Sequence, residues 1–142
     1  MSKPELKHIS PSEAHAMLQD EPTALFIDVR SEMEFLFIGH PVGAVNIPWI
    51  EEPDWEINPN FVRDVRKLVL GGVICQEDRQ CTPIVLICRS GKRSAEAGQA
   101  LVDAGFNRVY NIDTGFEGDL DEQHHRSSLG GWRYEGLPWE QC

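Results

Sequence analysis

The sequence predicts an α/β fold with a central, mostly parallel sheet. Three observations predict it. Uninterrupted apolar runs, "ALFIDV" at 24–29 and "PIVLI" at 83–87, read as buried strands. Amphipathic stretches with helix-start signals alternate with them, the pattern of a parallel α/β sheet. The length of 142 residues, with 41% hydrophobic and 25% charged, suits one domain spanning 1–142 around one core.

Each element has its own local signal. Ser10-Pro11-Ser12-Glu13 carries a cap, a first-turn proline and a capping-box glutamate, so a helix starts there. The strand at 24–29 comes next. Ser31 and Glu34 repeat the capping-box spacing and open a short helix. "GHPVGAVNIP", 39–48, is turn-rich, with a brief apolar piece at Ala44–Val45. "WIEEPDWEI", 49–57, reads as an acidic, tryptophan-bearing loop. Asn58-Pro59 starts a helix whose Phe61, Val62, Val65, Leu68 and Val69 share one face, ended by Gly71-Gly72. After a polar connector, 83–87 is the most apolar strand and the expected sheet centre. Ser94–Ala104 forms a helix with Ala97, Ala100, Leu101 and Ala104 inward, closed by Gly105. "RVYNI", 108–112, is the last expected strand, and the tail from Asp113 is polar and Gly-rich.

Composition narrows the functions. A formal charge of −10 disfavours nucleic acid, whose phosphates need cationic surface. No apolar run approaches the roughly 20 residues that span a bilayer, and "MSKPELKHIS" has no apolar signal core. A cytoplasmic protein without membrane partners is expected. Of the four cysteines, Cys75, Cys81, Cys88 and Cys142, none forms a C-x-x-C pair, which argues against a zinc ribbon or thioredoxin-type centre. Cys75 and Cys81 are close enough in sequence to pair. His124-His125, with Asp119, Asp121 and Glu122 nearby, reads as a solvated loop rather than a metal site, and no cofactor is implied.

Cys88 stands apart. It comes after the central strand and precedes a helix, where ligands of open α/β sheets bind. Free amides and the positive end of the helix dipole meet there. Gly91 lets the loop curl into an anion nest. Arg89, Lys92 and Arg93 add charge within a Debye length of about 8 Å, beyond which the scattered carboxylates are screened. A free thiol titrates near 8.5, and helix termini with basic neighbours bring it to roughly 3.5–7.5, so Cys88 is expected to ionise readily. Only four residues separate Cys88 from Arg93, where phosphatase loops have five. One residue is about 3.5 Å of chain, or about 1 Å of ring diameter. The shorter ring is tight for a phosphoryl group and still encloses one sulfur atom, which disfavours a phosphatase or arsenate reductase.

With that loop, C-R-S-G-K-R-S at 88–94, the sequence resembles the single-domain rhodanese-like sulfurtransferases. "DVRSEMEF" (28–35), "GHPVGAVNIP" (39–48), "VYNIDTGFEG" (109–118) and the late "GLP" match the family's motifs in order. Residues 49–81 are longer than a minimal member needs, 117–131 looks like an insertion, and the tryptophan expected soon after the Gly-aromatic turn is replaced by Trp132 beyond it. The resemblance implies a three-layer fold with helices on both faces of the sheet, and a sulfurtransferase with Cys88 as the catalytic, persulfide-bearing residue. Arg89, Ser90, Gly91, Lys92, Arg93 and Ser94 would bind the donor, with Arg93 also a candidate brace for the loop. Thiosulfate, a small sulfur dianion, is the expected donor, and cyanide, a thiol or a thiol protein the acceptor. A persulfide carrier for a partner protein and a non-catalytic interaction module are the alternatives. Asp28, Arg30 and Glu34 are read as a charge network fixing the loop, and His40 as a turn anchor.

Overall fold

The computed structural model describes residues 5–51, 55–71 and 83–141. Cys75, Cys81 and Cys142, and with them any pairing of the first two, lie outside the described residues.

Five parallel strands form the central sheet in the order β1 (Lys7–Ile9), β8 (Val109–Ile112), β7 (Ile84–Ile87), β2 (Leu25–Asp28) and β4 (Val45–Asn46). The most apolar strand, β7, is central, as expected. All four of its residues are buried, because helices cover both of its faces. On one face, Ile27, Val29, Ile84, Leu86 and Val109 pack against α2 (Phe61–Gly71) and α3 (Lys92–Asp103). On the other, Phe26, Val85, Ile87 and Ile112 meet Ala14 of α1 (Pro11–Asp20) and the buried Trp132. Burying each such side chain stabilises the fold by about 1.5–3 kcal/mol. This is the α/β fold read from the alternation of elements, in the three layers that the family resemblance implies.

Helix starts obey their local chemistry. The Ser10 hydroxyl accepts the Glu13 amide at 3.1 Å, and Glu13 accepts the Ser10 amide at 3.0 Å, completing the capping box of α1. The Ser10 amide, and after it the Ser10 hydroxyl, hold the Glu13 carboxyl below its ordinary range. The Ser31–Glu34 box also forms, at 3.2 and 3.3 Å, and opens the expected short helix, whose Glu34–Ile38 portion is a π-helical turn.

Four expectations need correcting. The acidic loop at 49–57 contains a two-stranded hairpin, β5 (Ile50–Glu51) with β6 (Glu56–Ile57), and Trp49 is core, 8% exposed, with its indole donating to Glu96 at 3.2 Å. Helix α3 begins at Lys92, two residues early, because Gly91 in the left-handed region takes the cap position. Ala104 is exposed, whereas Gly98 is buried against Leu6 and Leu86. The tail is not merely polar. Phe116 and Trp132 are buried, and β9 (Trp139–Glu140) pairs antiparallel with β3 (His40–Pro41). The short edge strand β1 carries no apolar alternation, so nothing in the sequence announces it. No helix among the described residues is long and apolar enough to cross a membrane.

Candidate active site

Because the central strands run parallel, β2, β7 and β8 all deliver their carboxyl ends to one edge of the sheet. Cys88 leaves β7 there, flanked by Asp28–Arg30 at the end of β2 and Asp113–Glu117 after β8. The loop is held from below. The Phe116 amide donates to the Cys88 carbonyl at 2.8 Å and the Glu117 amide to that of Arg89 at 2.9 Å. The returning tail locks this segment in turn, with the Trp132 amide donating to Gly115 at 2.8 Å and the Arg133 amide to Phe116 at 3.1 Å.

The sulfur faces inward. Cys88 is 1% exposed, and its Sγ accepts the Gly91 amide at 3.1 Å and lies 3.2 Å from the Ser94 hydroxyl. Both donors sit at the start of α3, where aligned peptide dipoles favour negative charge. Gly91 is required: its φ is +101°, and a Cβ there would lie 2.1 Å from the Asp113 carbonyl oxygen.

The three cations of the loop divide. Arg89 and Lys92 are exposed and make no ion pair among the described residues. Arg93 forms a two-pronged pair with Glu34, at 2.8 and 2.9 Å. Burial pushes the Glu34 carboxyl up, but the hydrogen bonds and charge of Arg93, with help from Ser31, outweigh it and hold the carboxyl at about 2. The same pair raises the Arg93 guanidinium further, against its burial, and the field of Cys88 adds to the rise. Arg93 thus ties the loop to the π-helical turn. Its charge is largely spent on Glu34, which leaves Arg89 and Lys92 as the cations facing solvent.

Asp28 and Arg30 form a wholly buried pair at 2.7 Å. Arg30 also donates to the Gly39 carbonyl and lies 4.7 Å over the Phe116 ring. Neither group touches Cys88. His40 stacks on Phe35 at 3.7 Å and bonds the Phe35 carbonyl at 2.8 Å, bracing the π-helical turn. Ser90 is half-buried on the loop. Beside the loop opens a cleft of about 420 Å³, lined by Arg89, Arg93 and Glu34 and walled by Met33, Phe37 and Trp55.

Two features of the site have no signal in the sequence. The buried Asn111, opposite the loop on β8, reads there only as part of a strand. The Glu34–Arg93 partnership joins residues 59 apart, and no local spacing announces it. His124 and His125 are exposed, and no group of three or more His, Cys, Asp or Glu side chains suited to a metal occurs among the described residues.

Comparison with known proteins agrees with this fold. Residues 10–122 match the rhodanese-like domain. The crystal structure of Rv0390 from M. tuberculosis is 35% identical, with a TM-score of 0.81, covering 99% of this chain and 100% of that one. The polysulfide-sulfur transferase homodimer of Wolinella succinogenes is 25% identical, with a TM-score of 0.56, covering 96% of this chain and 80% of that one. A tRNA uridine(34) hydroxylase of Chlamydia pneumoniae is 36% identical over 110 residues, 77% of this chain and 30% of that protein. The match to the family over residues 10–122, on a parallel sheet whose central strand runs into a cysteine loop, makes this chain a member of the rhodanese-like domain family.

Proposed function

We propose that this protein is a sulfurtransferase that carries one sulfane sulfur on Cys88. The observation that supports it most is the placing of Sγ, buried against the Gly91 amide and the Ser94 hydroxyl at a helix start. The amide is a fixed donor, and the hydroxyl can turn its one proton to the sulfur when negative charge resides there, the kind of stabilisation that anions receive in catalysis. The Cys88 thiolate attacks the outer sulfur of thiosulfate. The sulfur–sulfur bond of the donor breaks, sulfite leaves with its electron pair, and a persulfide remains on Cys88. An acceptor (cyanide, a thiol or a protein cysteine) then attacks the outer sulfur and regenerates the thiolate. Two half-reactions through a covalent intermediate predict ping-pong kinetics. Arg89 and Lys92, exposed and paired to no carboxylate among the described residues, bind the sulfonate of the donor. Arg93, paired to Glu34, holds the loop's shape. The polysulfide-sulfur transferase among its structural relatives favours the same class of chemistry.

The test is mass spectrometry after exposure to thiosulfate, glutathione persulfide or polysulfide. The reading expects a gain of one sulfur, about 32 mass units, at the peptide carrying Cys88, and no gain in Cys88→Ser. A protein that takes up no sulfur from any of the three donors would overturn it.

A further inference from the structure

Behind Cys88 runs a line of polar contacts that the sulfur-transfer cycle leaves unused. The Ser94 hydroxyl contacts both Cys88 Sγ and Asn111 Oδ1. Asn111 Nδ2 lies 3.2 Å from the Gly91 carbonyl and 3.1 Å from His8 Nδ1. His8 and Asn111 are direct neighbours across the β1–β8 pair. Cys88, Ser94 and Asn111 are each at most 2% exposed, so water does not relieve them, and only His8 reaches solvent.

Counting protons along this line gives a definite result. The Gly91 carbonyl can only accept, so the Asn111 atom facing it is the amide nitrogen. That leaves Asn111 Oδ1, also acceptor-only, facing the Ser94 oxygen. A hydroxyl carries one proton. If it goes to Asn111, the Cys88 sulfur receives nothing from Ser94. If it turns to the sulfur, two buried acceptor oxygens face each other in close contact. A neutral thiol fits the first arrangement completely: S–H donates to Ser94, Ser94 to Asn111, and Asn111 to Gly91 and to a His8 whose proton sits on Nε2. A thiolate fits only the second, which leaves Asn111 Oδ1 without a donor.

We propose that Asn111 and Cys88 compete for the single proton of the Ser94 hydroxyl, which makes Asn111 a positioning residue that sets how well the loop holds a sulfur anion. At rest Asn111 draws the hydroxyl away from the sulfur. Ionisation of Cys88 turns the hydroxyl back. The inference rests on Cys88 being the reacting atom, but it concerns the thiol before any donor arrives.

The charged and titratable groups around the loop are Arg89 and Lys92, Arg93 with its partner Glu34, Asp28, Asp113 and His8, and the test substitutions alter none of them. Iodoacetamide modification of Cys88 at pH 6, read on the peptide that carries it, is compared in the parent, Asn111→Val, Ser94→Ala and the double variant. Freed of its competitor, the hydroxyl serves the thiolate, so Asn111→Val is expected to react about tenfold faster, the order that a hydrogen bond to a charged group supports. In the Ser94→Ala background the same change is expected to have no effect. A slower or unchanged Asn111→Val overturns the proposal. So does an acceleration that survives in Ser94→Ala, which would mean that the substitution merely opens the site. A second measurement leaves Asn111 and Ser94 in place. The side-chain amide resonances of Asn111 are expected to shift as Cys88 ionises, and to lose that shift in Cys88→Ser, which separates it from the titration of His8. Asn111 resonances indifferent to Cys88 overturn the proposal equally. Neither experiment uses a sulfur donor, so its failure is distinct from failure to form a persulfide.

Discussion

Two glycine-containing, charged loops lie at the same end of this molecule, and they behave oppositely. The loop at 88–94 is closed by others: by the segment after β8 beneath it, by Glu34 across the cleft, and by Asn111 from the neighbouring strand. The segment at 117–131 largely closes on itself. The Asp121 carboxylate accepts the Gln123 and His125 amides at 2.9 and 2.8 Å and the Ser128 hydroxyl at 2.5 Å. These bonds, that of Ser128 foremost, hold its carboxyl below the ordinary range although it lies at the surface. Polar groups satisfied from outside are desolvated and aimed, and can do chemistry. Polar groups satisfied locally face water, and His124 and His125 are left as solvated side chains.

Substitutions can break or sharpen this contrast, from the largest effect downward. Gly91→Ala and Gly118→Ala place a Cβ 2.1 and 2.2 Å from a carbonyl oxygen, at φ +101° and +72°. Strain of this kind costs on the order of 1–3 kcal/mol or more. Thermal unfolding is expected to show both variants destabilised. Sulfur loading by mass spectrometry should be lost in Gly91→Ala and kept in folded Gly118→Ala. Equal loss of loading in the two would dissolve the distinction.

Glu34→Gln removes the tie between loop and π-helical turn. The folded-state Glu34 carboxyl lies near 2, below its ordinary 4.5. Its contribution, about 2–3 kcal/mol, is therefore fully present above pH 4.5 and fades as pH falls towards 2. Urea unfolding at pH 7, 4 and 2.5 is expected to show the variant weaker than the parent at pH 7, with the gap closing at pH 2.5. A gap that stays constant would assign the loss to packing instead.

Arg89→Ala, which exposes no buried partner, should leave stability within about 0.5 kcal/mol of the parent. It is expected to raise KM for thiosulfate and leave loading by a neutral persulfide donor little changed. The smallest effect belongs to Ser128→Ala, which loosens the self-closed segment. Stability is expected to move by less than about 0.5 kcal/mol, and sulfur loading not at all.

Legibility in the sequence tracks the reach of the interactions involved. The strand–Cys88–helix unit and the Ser10–Glu13 cap depend on neighbours within a few residues, and both are legible. The Ser31–Glu34 box is legible too, but the π-helical turn after it is not, because Glu34 answers also to Arg93, 59 residues away. Trp49 and Trp55 look alike in the string "WIEEPDWEI". One is buried against Phe61, its ring centroid 5.2 Å away, and the other is 55% exposed at φ +56°. Asn111 reads as a polar interruption of a strand until Gly91 and Ser94 are placed beside it.

The strand order carries a consequence for synthesis. Strand β8 sits between β1 and β7, though it is made after both. Until residues 109–117 have left the ribosome, the middle of the sheet holds an open slot, and the floor beneath Cys88 does not exist. The sulfur cup is thus finished only after β8 has emerged, so a nascent chain, or one cut before that strand, would expose an ordinary, unsheltered thiol.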